Sequence, residues 1–200
     1  MVSPDGICVL PPVQRGDVEK LISCFRPGVI ILVDGVFHQC LAVGHAEIRE
    51  AVAQGWRVWG LSSMGAIRAY EMRDVGVRGY GRVYKCFFQY EDFRDDEVAQ
   101  LHEPKPPFRS FSEPLVHIRS WLHEMVKTRL LSPLQHDRIV ESLKSMWYGD
   151  RTLLRVRGMI LDLVPEHVDR VDAMLAQFDR FRVKSLDLAD FVQKQVWKTI

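Results

Sequence analysis

The sequence predicts an α/β fold in which helices flank a parallel sheet, followed by a helical C-terminal region. In the first half, short apolar runs alternate with amphipathic segments, the order expected of strands and crossover helices. The run VIILVDG at 29–35 is almost continuously apolar, which is typical of a parallel strand covered on both faces. In the second half, Ser and Pro residues repeatedly open segments of helical periodicity. We therefore expect an α/β core over 1–105 and, over 106–200, helices that pack on the core or on a partner.

Each candidate strand in the first half is followed by a candidate helix. Two prolines end the first strand, and Gly55 suits a left-handed C-cap after the second helix. This order favours parallel strands joined by right-handed crossovers, a Rossmann-like arrangement. Strands are expected at 7–12, 29–35 and 56–61, and helices at 17–24, at 43–54 and from Met64 onward.

The rest of the chain is expected to be mostly helical. Residues 75–90 contain three glycines and suit either a strand or a helix, and both alternatives stay open. Beyond them, Ser and Pro residues mark helix starts. These later helices are expected at 112–130, at 132–147, up to 163, from Pro165 and from Ser185.

Composition limits the classes of function. The chain has 200 residues, 47% of them hydrophobic, and a net charge of +1 with dispersed basic residues, so we expect no nucleic-acid partner. It shows no long uncharged apolar run and no signal-peptide pattern, so we expect no membrane contact and a cytoplasmic location. The four cysteines lack CxxC spacing and are expected to be free thiols. The spacing of His38, Cys40 and His45 matches no common metal pattern, so no metal site is expected.

Polar or glycine-containing loops follow all three candidate strands. They are Arg15-Gly16-Asp17, Asp34-Gly35 and Ser62-Ser63-Met64-Gly65. Because ligands gather at the carboxyl ends of parallel strands, we expect these loops to form a site at one edge of the sheet. None of them is a GxGxxG or GxxxxGK[ST] motif, so the common nucleotide motifs are absent.

Ser63 is the residue on which this expected site depends. It stands at the expected N-cap of the helix that opens at Met64, where free amides favour an anion or a developing oxyanion. His45 is expected on the same helix face as Ile48 and Val52, which are apolar. A plain N-cap for Ser63 and a hydrogen-bonded core position for His45 remain open alternatives.

The stretch EDFRDDEVAQLH at 91–102 is the densest acidic run in the chain. Such a run is usually a solvated face or a helix N-terminus. The functional alternative is a magnesium or partner-docking site that includes Asp95, Asp96 and Glu97.

Five motifs are distinctive when they are taken together. They are PPVQRGD, the strand end Asp34-Gly35, HAEI at 45–48, SMGA at 63–66 with Arg68 and Glu71, and DDEVA at 95–99. With these motifs the chain resembles the TfuA-like family, the partner proteins of YcaO enzymes in making modified ribosomal peptides. The resemblance covers roughly residues 8–155.

The resemblance implies a role in backbone thioamidation. YcaO enzymes use ATP to phosphorylate a peptide amide oxygen, which sulfide then displaces. The resemblance further implies that the chain supplies this sulfide, with the C-terminal thiocarboxylate of a ubiquitin-like sulfur-carrier protein as an attractive source. The expected partners are therefore a YcaO-type enzyme, that carrier and a ribosomal precursor peptide. ATP and magnesium are expected on the YcaO enzyme, and no cofactor is expected on this chain.

Hydrolysis of a thiocarboxylate is acyl transfer, which needs a nucleophile, a base and donors for an oxyanion. Ser63 is the expected nucleophile because its strand-to-helix turn resembles a nucleophile elbow, although the first glycine of GxSxG is missing when Ser63 is centred. The helix amides after it are the expected oxyanion pocket. His45 is the expected base, oriented by Asp34 or Glu47.

The other expected site residues bind or dock. Arg15 and Arg68 are expected to hold a carboxylate or the carrier tail in forked hydrogen bonds. Glu71 is either a site acid or a partner of Arg68. The expected binding residues are Arg15, Asp17, Gly35, Ser62, Met64, Gly65 and Arg68. The alternative function is a non-catalytic adaptor that docks the YcaO enzyme through residues 95–97 and positions the sulfur donor or the peptide.

Overall fold

The structure, a computed structural model, describes residues 7–35, 40–105 and 107–199 and confirms the α/β fold. The chain divides into two compact units. The α/β unit comprises Met1–Glu91 and Asp187–Ile200, and the helical unit comprises Asp92–Leu186. The expected domain boundary between 105 and 106 stays a prediction.

Three parallel strands form the sheet of the described α/β unit, in the order β1-β2-β3. They are β1 (Val29–Leu32), β2 (Arg57–Leu61) and β3 (Arg78–Tyr80). Ile31 lies opposite Trp59 in the first pair, and Gly60 lies opposite Gly79 in the second. The helices are α1 (Asp17–Cys24), α2 (His45–Ala53), α3 (Met64–Glu71) and α4 (Gly81–Gln89), so the second and third expected strands and the three expected helices are confirmed.

The two faces of the sheet have different coverings. Alternate residues of a strand point to opposite faces. Ile30, Leu32 and Val58 belong to an apolar cluster with buried residues of α1, α2 and α3. Trp59 and Leu61 belong to a second cluster, whose partners near the C-terminus are Leu188, Phe191, Val196 and Trp197. The C-terminal segment from residue 187 therefore covers the sheet face that α1 to α3 leave open.

Hydrogen bonds also hold this C-terminal segment in the α/β unit. The last part of α9 (Val183–Gln193) contains Asp187, whose carboxylate accepts the Val83 amide at 3.0 Å near the start of α4. Burial raises the pKa of Asp187. The Tyr80 hydroxyl donates to Asp190. These bonds anchor the segment to β3 and α4.

The first expected strand is absent. The segment 75–90, for which both a strand and a helix were open, contains one strand and one helix. Residues 7–12 form no strand because the two prolines of that run have no amide hydrogen to donate to a ladder. Val13 instead makes an isolated parallel bridge with Gly35. The prediction of a strand at 7–12 is therefore wrong, and 75–90 contains both β3 and α4.

The helical unit packs around a core of its own. It contains α5 (Leu115–Lys127), α6 (Pro133–Lys144), α7 (Leu153–Leu161) and α8 (Val168–Leu175), which confirms the expected helical region. Trp121, Leu122 and Met125 are fully buried in this core. Ser132 caps α6 as its Ser-Pro sequence predicts, since its Oγ accepts the Gln135 amide at 3.3 Å.

Candidate functional site

The turn between β2 and α3 has an unusual backbone. It consists of Ser62 and Ser63 and is called the serine turn below. Ser62 has a φ of +67°, in the left-handed region that residues other than glycine seldom adopt. The residues are 3% and 1% exposed, respectively. A left-handed serine costs about 1–2 kcal/mol, so the surrounding structure must hold it in place.

Two glycines bring α3 into close contact with the strands beside the serine turn. A Cβ atom at Gly60 would lie 2.0 Å from the Gly65 carbonyl oxygen. A Cβ atom at Gly65 would lie 1.8 Å from the Leu32 carbonyl oxygen. Neither position accepts a side chain unless the backbone moves, because both obstacles are main-chain atoms. This backbone packing, which glycine permits, fixes the conformation of the turn.

Ser63 occupies the N-cap position of α3, as expected, but its side chain makes no capping hydrogen bond. Its buried Oγ has no hydrogen-bond partner among the residues that the structure describes. The Val33 carbonyl oxygen, directly after β1, accepts the amides of Ser63 at 3.1 Å and Gly65 at 3.3 Å instead. The Gly65 amide, one of the helix amides expected to form an oxyanion pocket, is therefore already bonded.

A second polar cluster consists of His45, Arg68 and Glu71 and is called the histidine network below. The His45 Nε2 lies 2.8 Å from Glu71 Oε2, and the Arg68 Nη1 donates to the same oxygen at 2.6 Å. The Arg68 Nε donates to the Val43 carbonyl at 2.9 Å. The side chains of His45 and Glu71 are 49% and 34% exposed. Glu71 thus pairs with Arg68, one of its two expected roles, and with His45 as well.

His45 does not lie on the apolar face of α2, so that prediction is wrong. It is the first residue of the helix and is exposed, whereas Ile48 is fully buried. The acidic residue that α2 buries is Glu47. Its carboxylate accepts the amides of Gly16 at 3.0 Å, Val18 at 3.1 Å and Gly44 at 2.7 Å. Glu47 therefore caps the start of α1 and does not orient His45.

The serine turn and the histidine network lie at opposite ends of α3. Ser63 directly precedes the helix, and Glu71 is its last residue. Eight residues of α-helix rise about 12 Å. Within the described chain, His45 is hydrogen-bonded to Glu71, and the Ser63 Oγ is bonded to no residue. The structure therefore does not join the expected nucleophile to the expected base.

The remaining expected residues of the sheet edge lie in loops. Asp34 is exposed, and its carboxylate accepts the adjacent Gly35 amide at 3.0 Å, which is the usual role of an aspartate in a turn. A Cβ atom at Gly35 would lie 2.9 Å from the Met64 Cγ, so this glycine packs on the first residue of α3. Gly35 and Met64 thus support the serine turn by packing.

Arg15 and Asp17 lie at the start of α1. The Arg15 Nε donates to the Ala42 carbonyl at 3.2 Å, and Arg68 donates to the next carbonyl of the same loop. Asp17 accepts the Gln14 amide at 2.9 Å. The two arginines therefore both contact the segment that precedes α2.

The acidic residues 95–97 form a short 3₁₀ helix in the helical unit. Glu97 is 1% exposed, and its two carboxylate oxygens accept hydrogen bonds from Arg119 at 2.6 and 2.8 Å. The Asp96 carboxylate accepts from the fully buried Arg151 at 2.6 Å. These two carboxylates form ion pairs inside the helical unit. The sequence suggested a solvated face, a helix N-terminus or a binding site for this acidic run, and not internal ion pairs.

The helical unit also contains a buried ionisable pair that the sequence analysis did not identify. The His117 Nδ1 lies 3.0 Å from one Glu113 carboxylate oxygen, and the other oxygen accepts from Arg182 at 2.7 Å. Burial lowers the pKa of His117 to about 4, although Glu113 opposes this shift. Burial raises the pKa of Glu113, but hydrogen bonds from His117 and Arg182 outweigh it, and the pKa is lowered. The i, i+4 spacing of the pair was the available signal.

The sequence also carried a signal for Ser62. With Ser62 centred, Gly60 supplies the first glycine of GxSxG, and the second glycine is displaced by one position to Gly65. The first glycine of GxSxG, which is missing when Ser63 is centred, is therefore present when Ser62 is centred.

His38 lies outside the described residues, and among those described no group of three or more His, Cys, Asp or Glu side chains is arranged to hold a metal ion. No helix in the described parts of the chain is both long enough and apolar enough to cross a membrane.

Most of the candidate site residues lie in the part of the chain that one known family matches. The TfuA-like protein family matches residues 34–152, more than half of the chain. The chain belongs to the TfuA-like family. The TfuA-like match includes the serine turn, the histidine network and the acidic residues 95–97, whereas Arg15 and the C-terminal segment lie outside it. No curated protein matches the chain.

Proposed function

We propose that this TfuA-like chain supplies sulfide for backbone thioamidation by a YcaO-type enzyme. It hydrolyses the C-terminal thiocarboxylate of a ubiquitin-like sulfur-carrier protein and delivers the sulfide to the YcaO enzyme. That enzyme holds ATP and magnesium and acts on the ribosomal precursor peptide. Membership of the TfuA-like family supports the YcaO partnership.

The buried hydroxyl of the serine turn is the observation that carries this proposal. An unsatisfied buried hydroxyl costs about 1–3 kcal/mol, so a fold gains stability when a ligand bonds it. The Ser63 Oγ has no partner in the described chain and lies at the N-terminus of α3. The negative charge of a thiocarboxylate suits the positive end of this helix dipole.

The histidine network has the properties of a binding element for the carrier tail. Its side chains are partly exposed, and Arg15 contacts the same loop as Arg68. Two guanidinium groups beside one loop favour a partner segment that carries carboxylates or main-chain carbonyls. In this proposal the network holds the carrier, and the serine turn performs the chemical step.

Sulfide release from a thiocarboxylated carrier tests the proposal. The wild-type chain alone, without ATP or YcaO enzyme, should release sulfide at a rate proportional to its concentration. The same carrier with an ordinary C-terminal carboxylate is the matched control and should release none. Failure of the wild-type chain to accelerate release, with or without the YcaO enzyme, would contradict the hydrolase function.

A second candidate is a non-catalytic adaptor, which an aromatic cluster around the exposed Phe88 of α4 favours. Phe88 is 57% exposed, and its ring lies 5.0 Å from that of Tyr70 and 5.2 Å from that of Tyr84. In α4 the fully buried residue is Val83. Exposed aromatic clusters of this kind are common at protein–protein interfaces.

Free sulfide distinguishes the adaptor from the hydrolase. If the chain is only an adaptor, excess sulfide cannot replace it, and Phe88→Ala should weaken its complex with the YcaO enzyme. Phe111→Ala, at a similarly exposed aromatic residue of the helical unit, is the matched control. Reversal of the Glu97 charge is unsuitable here because it breaks the buried pair with Arg119.

A further inference from the structure

We propose that Ser62 is the nucleophile of the serine turn and that the Ser63 hydroxyl donates a hydrogen bond to the bound thiocarboxylate. This inference rests on the proposed function and assigns the two adjacent serines different roles in it. Three observations support it: the backbone of Ser62, the glycines that hold it, and the unpartnered hydroxyl of Ser63.

Ser62 has the backbone geometry expected of a nucleophile elbow. In such an elbow the serine stands on a sharp, strained turn from a strand into a helix. β2 ends at Leu61 and α3 begins at Met64, so two residues make this turn. Ser62 carries the left-handed φ, whereas Ser63 has a φ of −130°. Ser62 therefore carries the left-handed backbone of the turn.

The left-handed backbone at position 62 is one that glycine adopts more readily than serine. Glycine adopts a left-handed φ without penalty, and the chain uses glycine for this purpose at Gly16, Gly55, Gly76 and Gly81. Four described residues other than glycine have a positive φ, and Ser62 is the buried one among them. Position 62 thus carries a hydroxyl on a left-handed backbone, and strained backbone of this kind clusters at functional sites.

The Ser63 hydroxyl independently indicates a ligand at the same turn. It is 99% buried and has no hydrogen-bond partner among the described residues, although an N-cap serine normally bonds an amide of the first turn. The nearby amides of Ser63 and Gly65 are bonded to the Val33 carbonyl. The Ser63 hydroxyl is therefore a donor without a partner in the described chain, beside Ser62, and a developing oxyanion needs such a donor.

The reaction balances without a further reagent. The Ser62 Oγ attacks the thiocarboxylate carbon, and the Ser62 proton moves to the sulfur. The C–S bond then breaks, hydrosulfide leaves, and an ester joins Ser62 to the carrier. Water hydrolyses that ester, which regenerates the serine and releases the carrier with an ordinary carboxylate and one proton. No oxidant or reductant takes part.

The test compares Ser62→Gly with Ser63→Ala. Ser62→Gly removes the nucleophile and relieves the left-handed strain, so sulfide release should fall on the order of 1,000-fold. Ser63→Ala keeps the nucleophile and removes one oxyanion donor, so release should fall by about 100-fold. Exposed Ser142→Ala is the matched control and should leave release unchanged.

The outcomes separate this inference from the proposed function. If Ser62→Gly releases sulfide at the wild-type rate, the nucleophile assignment is overturned and the hydrolase function stands. If Ser63→Ala abolishes release and Ser62→Gly does not, Ser63 is the nucleophile. If the wild-type chain releases no sulfide, the proposed function fails and this inference fails with it. Circular dichroism of each variant verifies that a loss of release is not a loss of fold.

Discussion

The two polar clusters at the ends of α3 differ in burial and in hydrogen bonding. The serine turn is buried, strained at Ser62 and unsatisfied at the Ser63 hydroxyl within the described chain. The histidine network is partly exposed, and its Glu71 carboxylate is hydrogen-bonded to both His45 and Arg68. An arrangement that costs stability indicates a reactive site, whereas an exposed ion-pair network contributes little stability and suits binding. This difference supports our proposal that the chemical step occurs at one end of the helix and recognition of the carrier at the other.

Gly65→Ala should break the serine-turn end of α3 and has the largest expected effect on stability. The new Cβ atom would lie 1.8 Å from the Leu32 carbonyl oxygen, so α3 must move away from β1. We expect the free energy of unfolding to fall by on the order of 3 kcal/mol or more, as measured by urea denaturation. Gly28→Ala is the control, because its Cβ atom would meet Trp56 at an ordinary 3.7 Å. Equal stability of the two variants would contradict the close packing of α3.

Acidification should destabilise the chain through His117, the buried histidine of the helical unit. The pKa of His117 is about 4 in the folded chain and about 6.5 when unfolded. Between these values the unfolded state binds more protons, so stability is full above about pH 6.5 and is lost as the pH falls towards 4. We expect His117 to account for a loss of about 3 kcal/mol in unfolding free energy.

The His117 prediction is checked by the pH dependence of denaturation. His117→Asn should flatten the dependence between about pH 7 and pH 4.5, because the amide can still donate to Glu113 but does not titrate. His123→Asn, at an exposed histidine on the same helix, should leave the curve unchanged. Identical curves for wild type and His117→Asn would show that His117 does not govern acid stability.

Ser63→Ala and Ser132→Ala should change stability in opposite directions. Ser132 bonds the Gln135 amide and caps α6, so its removal should cost about 1 kcal/mol. Ser63 makes no capping bond, and removal of its unsatisfied hydroxyl should raise the free energy of unfolding by about 1 kcal/mol. Thermal denaturation of both variants measures the difference. A loss of stability in Ser63→Ala equal to that of Ser132→Ala would mean that Ser63 is an ordinary cap.

Glu71→Gln should have the smallest effect on stability. The network is partly exposed, so we expect a change below about 1 kcal/mol. Because we assign the network to recognition, KM for the thiocarboxylated carrier should rise while kcat stays constant. Glu50→Gln, on the exposed side of α2, is the control. A fall in kcat with an unchanged KM would instead place the histidine network in the chemical step.

Local sequence signals predicted most of the α/β unit. Short stretches of sequence were enough to predict three of its features. These are the apolar strand β1, the left-handed backbone of Gly55 and the start of α3 at Met64. The prediction of a strand at 7–12 was wrong because it followed from the apolar residues alone. The two prolines have no amide hydrogen to donate to a neighbouring strand.

Long-range contacts set the limit of that prediction. The pairing of His45 with Glu71 joins residues 26 positions apart, and no periodicity indicates it. The burial of Glu97 depends on Arg119, and the covering of the sheet by Phe191 depends on a distant helix. The conformation of Ser62 depends on the approach of α3 to two strands, although Gly60 and Gly65 did mark that turn.

Acid quenching of the chain with a thiocarboxylated carrier tests the central claim most directly. Intact-mass spectrometry should detect a covalent adduct whose mass is the sum of the chain and the carrier minus hydrogen sulfide. Peptide mapping should place the ester on Ser62, and Ser62→Gly should form no adduct. An ester on Ser63, or rapid sulfide release with no ester at either serine, would contradict the account of the serine turn.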